Sequence, residues 1–174
     1  LGVELPSAEQ SPGMDTLACL EAADRGEIDI ALILGGNLYQ ATPNSQWAEQ
    51  VFNKISCKVY LTTTLNKGHI HGLDDSEAII LPVAARDEEP QPTTQESMFN
   101  FIRYSEGGIE RLSNVRSEVT VLTHFAEQLL TQRSADQKTP PAFDFSVFRS
   151  HASIRETIAA VVPGMEQLKS IDIA

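Results

Sequence analysis

Two groups of glycine, asparagine and threonine residues in the first half of the chain have the chemistry of a phosphate-binding site. The first is Gly35-Gly36-Asn37, directly after an apolar run at residues 28–34, and the second is Thr62-Thr63-Thr64 with Asn66. Glycine lets backbone N–H groups approach an anion, and threonine and asparagine side chains hydrogen-bond polar ligand atoms. These residues predict a site for a phosphate-bearing ligand, provided that the fold brings the two groups together.

Parallel strands joined by a helix would position these residues. Residues 28–34 are rich in isoleucine and leucine, which predicts a strand buried on both faces of a parallel sheet. A helix at 46–55, a second strand at 57–63 and a short third strand at 78–81, ended by Pro82, follow. Because parallel strands end at one edge, both polar groups are expected to face one crevice. The predicted class is α/β, with a Rossmann-like, mostly parallel sheet flanked by helices and a helical C-terminal part.

Helical periodicity, composition and turn-forming residues predict the rest of the chain. We assign residues 1–132 to the α/β domain, and residues 133–174 to a linker at 133–142 and a helical extension of the same domain. The other predicted elements are a helix at 14–25, an exposed loop at 86–96, an extended segment at 97–104, a helix at 117–131, a short helical turn at 144–149 and a helix at 152–162.

The net charge and the cysteine content indicate which binding partners and which cellular compartment to expect. A formal net charge of −11 argues against nucleic acid or an anionic membrane as a partner. No apolar run approaches the roughly 18 residues of a membrane-spanning helix. The local charge of residues 31–72 is positive instead, because this segment contains three lysines and a single acidic residue, Glu49. This local positive charge is compatible either with a phosphate-bearing ligand or with a solvated surface. Cys19 and Cys57 predict buried free thiols in a reducing compartment, the cytoplasm.

Other chemistries have less support in the sequence. His69 and His71, with Asp74 and Asp75 behind them, could contribute to a zinc site, but no third ligand is identifiable and we expect no metal there. The sequence has neither a GxSxG nucleophile elbow nor the GxGxxG pattern of dinucleotide-binding proteins. Turn geometry alone could also explain the two glycines after the strand.

A series of motifs along the chain resembles that of the molybdopterin-dependent oxidoreductases, in particular the formate-dehydrogenase-like alpha subunits. The resemblance runs over nearly the whole chain and rests on the order and spacing of the motifs. The matching segments are LGGNLYQATP at 34–43, TTTLNKGHIHG at 62–72, IILP at 79–82, ESM to GG at 96–108, SIRE at 153–156 and VPGME at 162–166.

This resemblance implies a domain that holds one arm of a bis(molybdopterin guanine dinucleotide) cofactor with molybdenum. By motif match, the guanosine and phosphate end would be lined by Gly35, Gly36, Asn37, Gln40 and Thr42. The neighbouring strand end would add Thr62, Thr64, Asn66 and His69, and the following loop would add Ser105 and Gly107.

Members of that family are several times longer than this chain. Their N-terminal region supplies a cysteine or selenocysteine to molybdenum, and a C-terminal domain completes the cofactor cleft. Neither Cys19 nor Cys57 lies in a matching motif, so the resemblance implies an interior part of a larger oxidoreductase, inactive on its own and partnered by the remaining domains of the same polypeptide. Two alternatives stay open: a stand-alone nucleotide-binding module, or a non-catalytic interaction domain.

Overall fold

A computed structural model describes residues 13–99, 101–137 and 143–172. The described residues fall into two compact units that meet in sequence at Val83 and Ala84. We call the described residues up to Val83 the N-terminal unit and those from Ala84 the C-terminal unit. The assignment of residues 1–132 to one domain stays a prediction.

The N-terminal unit contains a parallel sheet and three helices. The strands lie in the order β1-β2-β3 and both neighbouring pairs are parallel, which confirms the predicted α/β class. Its elements are α1 (Thr16–Asp24), β1 (Ile30–Leu34), α2 (Leu38–Ala41), α3 (Ser45–Asn53), β2 (Cys57–Thr62), a 3-10 turn (Lys67–His69) and β3 (Glu77–Pro82).

One side of the sheet packs against α1 and α3. Leu20 and Ala23 of α1 form a buried cluster with Val51 and Phe52 of α3, and Ala31 of β1 packs against it. Asp15 begins α1 by accepting a hydrogen bond from the N–H of Ala18, and Asn44 begins α3 in the same way with Trp47. The apolar periodicity therefore predicted the buried face of α3 correctly, but it was only partly right for α1, where Leu17 is exposed and Ala23 is buried.

The prediction that β1 is buried on both faces is wrong. Ile30, Leu32 and Leu34 are 68%, 42% and 48% exposed, whereas Ala31 between them packs against the core cluster. Successive strand side chains point to opposite faces, so the three exposed residues share the face opposite the helices. An apolar run indicates that both faces of a strand could be buried. Whether a second layer packs on the other face depends on the rest of the fold.

The C-terminal unit combines an antiparallel strand pair with helices. Strands β4 and β5 pair from Thr93 with Ser105 to Glu96 with Ile102. Its elements are β4 (Thr93–Glu96), β5 (Ile102–Ser105), α4 (Glu118–Gln137), a 3-10 helix (Phe145–Arg149), α5 (His151–Val161) and a second 3-10 helix (Glu166–Ser170). No helix in the described ranges is both long and apolar enough to cross a lipid bilayer.

Two predicted boundaries in this unit need correction. Helix α4 continues to Gln137, five residues into the predicted linker, because no glycine or proline interrupts it there; residues 138–142 lie outside the described part. The predicted exposed loop at 86–96 contains strand β4, and its Glu89 is buried. The threonine pair that opens β4 suits an extended backbone, a signal that the many charged neighbours obscure.

Candidate functional site

The predicted polar groups lie at the edge of the sheet where the parallel strands end. β1 ends at Leu34 and β2 at Thr62, so the loops that follow them begin side by side. The N–H of Gly35 donates to the carbonyl oxygen of Leu61 at 2.7 Å, which joins the two strand ends. Gly35 and Gly36 have φ values of +61° and +70°, a left-handed backbone that glycine adopts without strain.

Asn37 begins a short helix that the sequence did not reveal. Its Oδ1 accepts the N–H of Gln40 at 3.1 Å, and its Nδ2 donates to Oε1 of Gln40 at 2.6 Å. Thr42 follows the last residue of α2 and caps it, and its hydroxyl donates to the carbonyl oxygen of Leu38 at 2.8 Å. Asn37 and Gln40 are thus paired with each other, while Thr42 is buried and bonded inside the turn.

Asn66 connects the two predicted polar groups. Its Nδ2 donates to the carbonyl oxygen of Gly36 at 3.0 Å, and its Oδ1 accepts the N–H of Gly68 at 2.9 Å. Gly68 is a contact that sequence reasoning missed: a Cβ there would lie 2.7 Å from Oδ1 of Asn37. The two loops are therefore packed directly against each other, as the parallel-edge argument predicts.

Two of the predicted site residues, Thr62 and His69, have side-chain polar atoms that are engaged within the loops. The buried hydroxyl of Thr62 donates to the carbonyl oxygen of Thr64 at 2.8 Å. The buried ring of His69 accepts the N–H of Asn66 at Nδ1 and lies edge-on to Tyr60, with centroids 4.8 Å apart. The hydroxyl of Tyr60 donates to the carbonyl oxygen of Gly68, and burial raises the pKa of that phenol.

Two exposed side chains, Gln40 and Thr64, and two backbone N–H groups remain available at this edge. In the described part of the chain, the N–H groups of Gly36 and Asn37 have no hydrogen-bond acceptor, and a Cβ at Gly36 would meet open space. The cavity between the loops measures only about 10 Å³, close to the space of one water molecule. A phosphate-sized ligand at this edge would therefore lie on the outer surface of the loops.

The histidine pair that suggested zinc is divided between two environments. His71 stacks on Tyr39, with ring centroids 4.2 Å apart, and its Nδ1 lies 3.0 Å from Oε1 of Glu49. His69 faces Asn66 and Tyr60 instead. No group of three or more potential metal ligands occurs within residues 13–99, 101–137 and 143–172.

Lys58 does not contribute to the charge of this edge. Its side chain is fully buried, and its Nζ donates to the carbonyl oxygens of Phe52 at 2.9 Å and Gly72 at 2.8 Å, and to the hydroxyl of Ser76. Burial lowers the pKa of the Lys58 ammonium. The lysine therefore satisfies the carboxyl end of α3 rather than lying on a solvated surface or facing a ligand.

Four further predicted residues have defined positions. Cys19 and Cys57 are unpaired thiols as predicted, but they are half-buried rather than buried.

In the C-terminal unit, Ser105 ends β5, and Gly107 has a φ of +103° and would place a Cβ 2.7 Å from the carbonyl oxygen of Pro90. Gly107 is therefore required by local packing.

Together these features define an α/β unit with two interlocked polar loops at the carboxyl edge of a parallel sheet. The chain is 30% identical, over 173 residues or 95% of its length, to proteins named uncharacterized oxidoreductase, Rv2900c of Mycobacterium tuberculosis and Mb2924c of Mycobacterium bovis. It is 26% identical over 160 residues, 88% of its length, to protein YdeP of Escherichia coli. It spans only about a fifth of these relatives, 21% and 20% respectively. No family model matches the chain.

Proposed function

We propose that this chain is the part of a molybdopterin-dependent oxidoreductase that holds the guanine dinucleotide end of a bis(molybdopterin guanine dinucleotide) cofactor. Two lines of support are the motif series described above and the similarity to proteins named oxidoreductases over 95% of the chain. The observation that carries the proposal is the hydrogen bond from Asn66 to Gly36, since it holds two polar loops together at a sheet edge. Ligands of α/β sheets bind outside such edges.

The accessible groups at this edge fit the phosphate part of a dinucleotide. The N–H groups of Gly36 and Asn37 have no acceptor in the described residues, and they would donate to phosphate oxygens. The exposed side chains of Gln40 and Thr64 would hydrogen-bond the guanosine. Thr42, Thr62 and His69 would act by holding the loops in shape, because their hydrogen bonds are made within those loops.

In the whole enzyme, molybdenum and the pterin dithiolenes would supply the redox chemistry, and this chain would bind and orient the cofactor. The remaining domains would complete the site, which agrees with the small share of the relatives' length that the chain spans. We also propose a cytoplasmic location, for which the unpaired thiols of Cys19 and Cys57 are the support.

Titration of the full chain with GDP tests this proposal, with isothermal calorimetry for affinity and amide NMR for position. We expect saturable binding, amide shifts at Gly36 and Asn37, and weaker binding of NAD. GDP is only part of the cofactor, so a millimolar to micromolar dissociation constant is the expected range. An equal affinity for NAD would favour the alternative of a general nucleotide-binding module, and no binding of GDP would contradict the proposal.

A matched pair of variants locates the binding. Asparagine tolerates a left-handed backbone, so Gly36→Asn adds a side chain at the proposed phosphate position with little strain. Gly26→Asn is the control, because Gly26 has a φ of +72° and the same open surroundings at the end of α1. We expect Gly36→Asn to weaken GDP binding about tenfold, roughly 1.4 kcal/mol. Equal affinity in the two variants would refute the assignment of the site to this turn.

A further inference from the structure

The three lysines of residues 31–72, all of which the structure describes, lie in three different environments. Lys54 donates from Nζ to the carboxylate of Asp24 at 2.7 Å. Lys58 is fully buried and donates to backbone carbonyl oxygens. Lys67 is exposed, and no carboxylate of the described residues lies within ion-pair distance of its ammonium. The positive charge that this segment offers to a ligand is therefore that of Lys67.

Lys67 lies between two residues that are fixed against the glycine turn after β1. Asn66, on one side, donates to the carbonyl oxygen of Gly36 at 3.0 Å. Gly68, on the other side, is so close to Asn37 that a Cβ would lie 2.7 Å from its Oδ1. Consecutive Cα atoms are only about 3.8 Å apart, so these two contacts hold the backbone of Lys67 beside the turn.

The side chain of Lys67 lies on the outer surface of the two loops. Its neighbours Asn66 and Gly68 line the small cavity between the loops, together with Gly36 and Asn37, whereas Lys67 is not part of that wall. A phosphate at the N–H groups of Gly36 and Asn37 would lie on the same outer surface. The lysine stem is long and flexible and its ammonium carries three donors, so it can reach an anion at the neighbouring turn.

The distribution of charge along the sheet favours an anion at this edge. Asp29 precedes β1 and Glu77 begins β3, so both exposed carboxylates lie at the amino ends of the strands. The strands are five and six residues long, so roughly 15 Å of strand separates these carboxylates from the carboxyl edge. Glu49, the one acid of residues 31–72, lies 3.0 Å from a ring nitrogen of His71. Lys67 therefore makes the carboxyl edge the more positive end of the sheet.

We propose that Lys67 is a phosphate-binding residue of this edge and that it makes the site selective for a diphosphate. This role rests on the proposed function, because it adds a charged partner for the phosphates of the same site. One phosphate would accept the N–H groups of Gly36 and Asn37, and the other would pair with the ammonium of Lys67. The lysine supplies a local attraction for an anion in a chain whose net charge is −11.

Titration of the full chain with GDP tests this role in two variants with the same change in net charge. Lys67→Met removes the proposed partner of the phosphate. Lys169→Met is the control, at an exposed position in the second 3-10 helix of the C-terminal unit. We expect Lys67→Met to weaken GDP binding about two- to fivefold, the usual range for an exposed ion pair, and Lys169→Met to leave it unchanged. Equal affinities in the two variants would overturn the proposal.

A conservative variant and the salt dependence separate charge from shape. Lys67→Arg keeps the positive charge and should bind GDP nearly as well as wild type. Raising the ionic strength from about 0.01 M to about 0.15 M shortens the Debye length from about 30 Å to about 8 Å, so wild-type binding should weaken. Lys67→Met should show a smaller decrease. An arginine variant as weak as Lys67→Met, or the same salt dependence in wild type and Lys67→Met, would overturn the role of the charge.

Comparison with GMP tests the selectivity for a diphosphate. Wild type should bind GDP more tightly than GMP, and Lys67→Met should reduce that preference, because the second phosphate loses its partner. An unchanged preference in Lys67→Met would overturn the assignment of the second phosphate to this residue.

Inorganic pyrophosphate distinguishes this proposal from the proposed function. GDP binding that is insensitive to Lys67→Met would overturn the role of the lysine and leave the proposed function standing. Pyrophosphate binding that Lys67→Met weakens, with no tighter binding of GDP, would support the role of the lysine and count against a guanine dinucleotide. No binding of either anion would overturn both proposals.

Discussion

Asn66 donates from Nδ2 to the carbonyl oxygen of Gly36 at 3.0 Å, and the same side chain accepts the N–H of Gly68 at 2.9 Å. One residue thus fixes the loops after β1 and β2 relative to each other. Asn66→Ala removes both bonds, and we expect a loss of about 1–2 kcal/mol in the free energy of unfolding by urea. Asn114→Ala, at an exposed position, is the control. A loss no larger than that of the control would mean that the loops are held by other contacts.

The close approach of Gly68 to Asn37 predicts a strong effect of one methyl group. In Gly68→Ala the new Cβ would lie 2.7 Å from Oδ1 of Asn37 and 3.0 Å from Oδ1 of Asn66, so the Asn37 side chain must move, which disturbs its hydrogen bonds to Gln40. We expect the variant to lose about 1–3 kcal/mol in stability. Gly13→Ala has nothing within 4 Å of its Cβ and should be close to neutral. Thermal or urea unfolding of both variants measures the difference.

The buried Lys58 predicts a rise in stability at alkaline pH. Burial lowers its pKa in the folded chain below the ordinary 10.5, so between the two values the unfolded chain binds more protons. The free energy of unfolding should therefore increase as pH rises through that window. Lys58→Met lacks this increase, so the difference in the free energy of unfolding between wild type and variant should widen towards pH 10.5.

The same variant should also be less stable at neutral pH. It leaves the carbonyl oxygens of Phe52 and Gly72 without their donor, which costs about 1–3 kcal/mol. Comparing wild type with the variant cancels the opposite effect of Tyr60, whose pKa is raised in both. Lys67→Met, at an exposed position, is the control. A constant difference in unfolding free energy between wild type and Lys58→Met across the alkaline range would contradict the lowered pKa of Lys58.

The hydrogen-bonded carboxylate of Asp24 predicts that the folded chain loses stability in acid. Its carboxylate accepts from Nζ of Lys54 at 2.7 Å and from Nε1 of Trp47 at 3.2 Å, and these bonds lower its pKa below the ordinary 3.8. The stabilisation is present above pH 3.8 and is lost as pH falls through the lowered value. Asp24→Asn should flatten this part of the stability profile relative to Asp75→Asn, an exposed control. Parallel acid profiles in the two variants would rule out the contribution of Asp24.

The open face of β1 predicts unequal costs for two leucines paired across neighbouring strands. Leu61 of β2 is 1% exposed, whereas Leu34, its register partner in β1, is 48% exposed. Leu61→Ala should cost about 2–5 kcal/mol, and Leu34→Ala should cost clearly less, because a buried deletion also leaves a cavity. Urea unfolding measures both. Equal costs would mean that the face of β1 is covered in solution.

Local sequence signals predicted the elements of the sheet and its helices well. The apolar runs at β1 and β2 and the end of β3 at Pro82 depend on residues near one another in the chain. The exposure of Ile30 and the burial of Lys58 depend on distant parts of the fold. Helix α2 was missed because its four residues are too few for a periodic pattern.

The same distinction between local and long-range signals applies to the side-chain contacts of the two units. The meeting of Gly36 with Asn66 follows from the parallel pairing of β1 with β2, so topology alone predicted it. The approach of Glu89 to His151 joins residues 62 positions apart, and neither lies in a recognisable motif. Within residues 86–96 the many charged side chains indicated only a solvated loop, and burial can be known only from the packed structure.

The parallel arrangement of β1, β2 and β3 also constrains the order of folding. Ile30 pairs with Cys57 and Cys57 with Glu77, so neither pairing can start from a hairpin, and each must wait for the closure of a loop of twenty or more residues. In the C-terminal unit, Glu96 pairs with Ile102 only six residues away. Contacts close in sequence form faster than distant ones. The strand pair of the C-terminal unit should therefore acquire hydrogen-exchange protection before the sheet of the N-terminal unit during refolding.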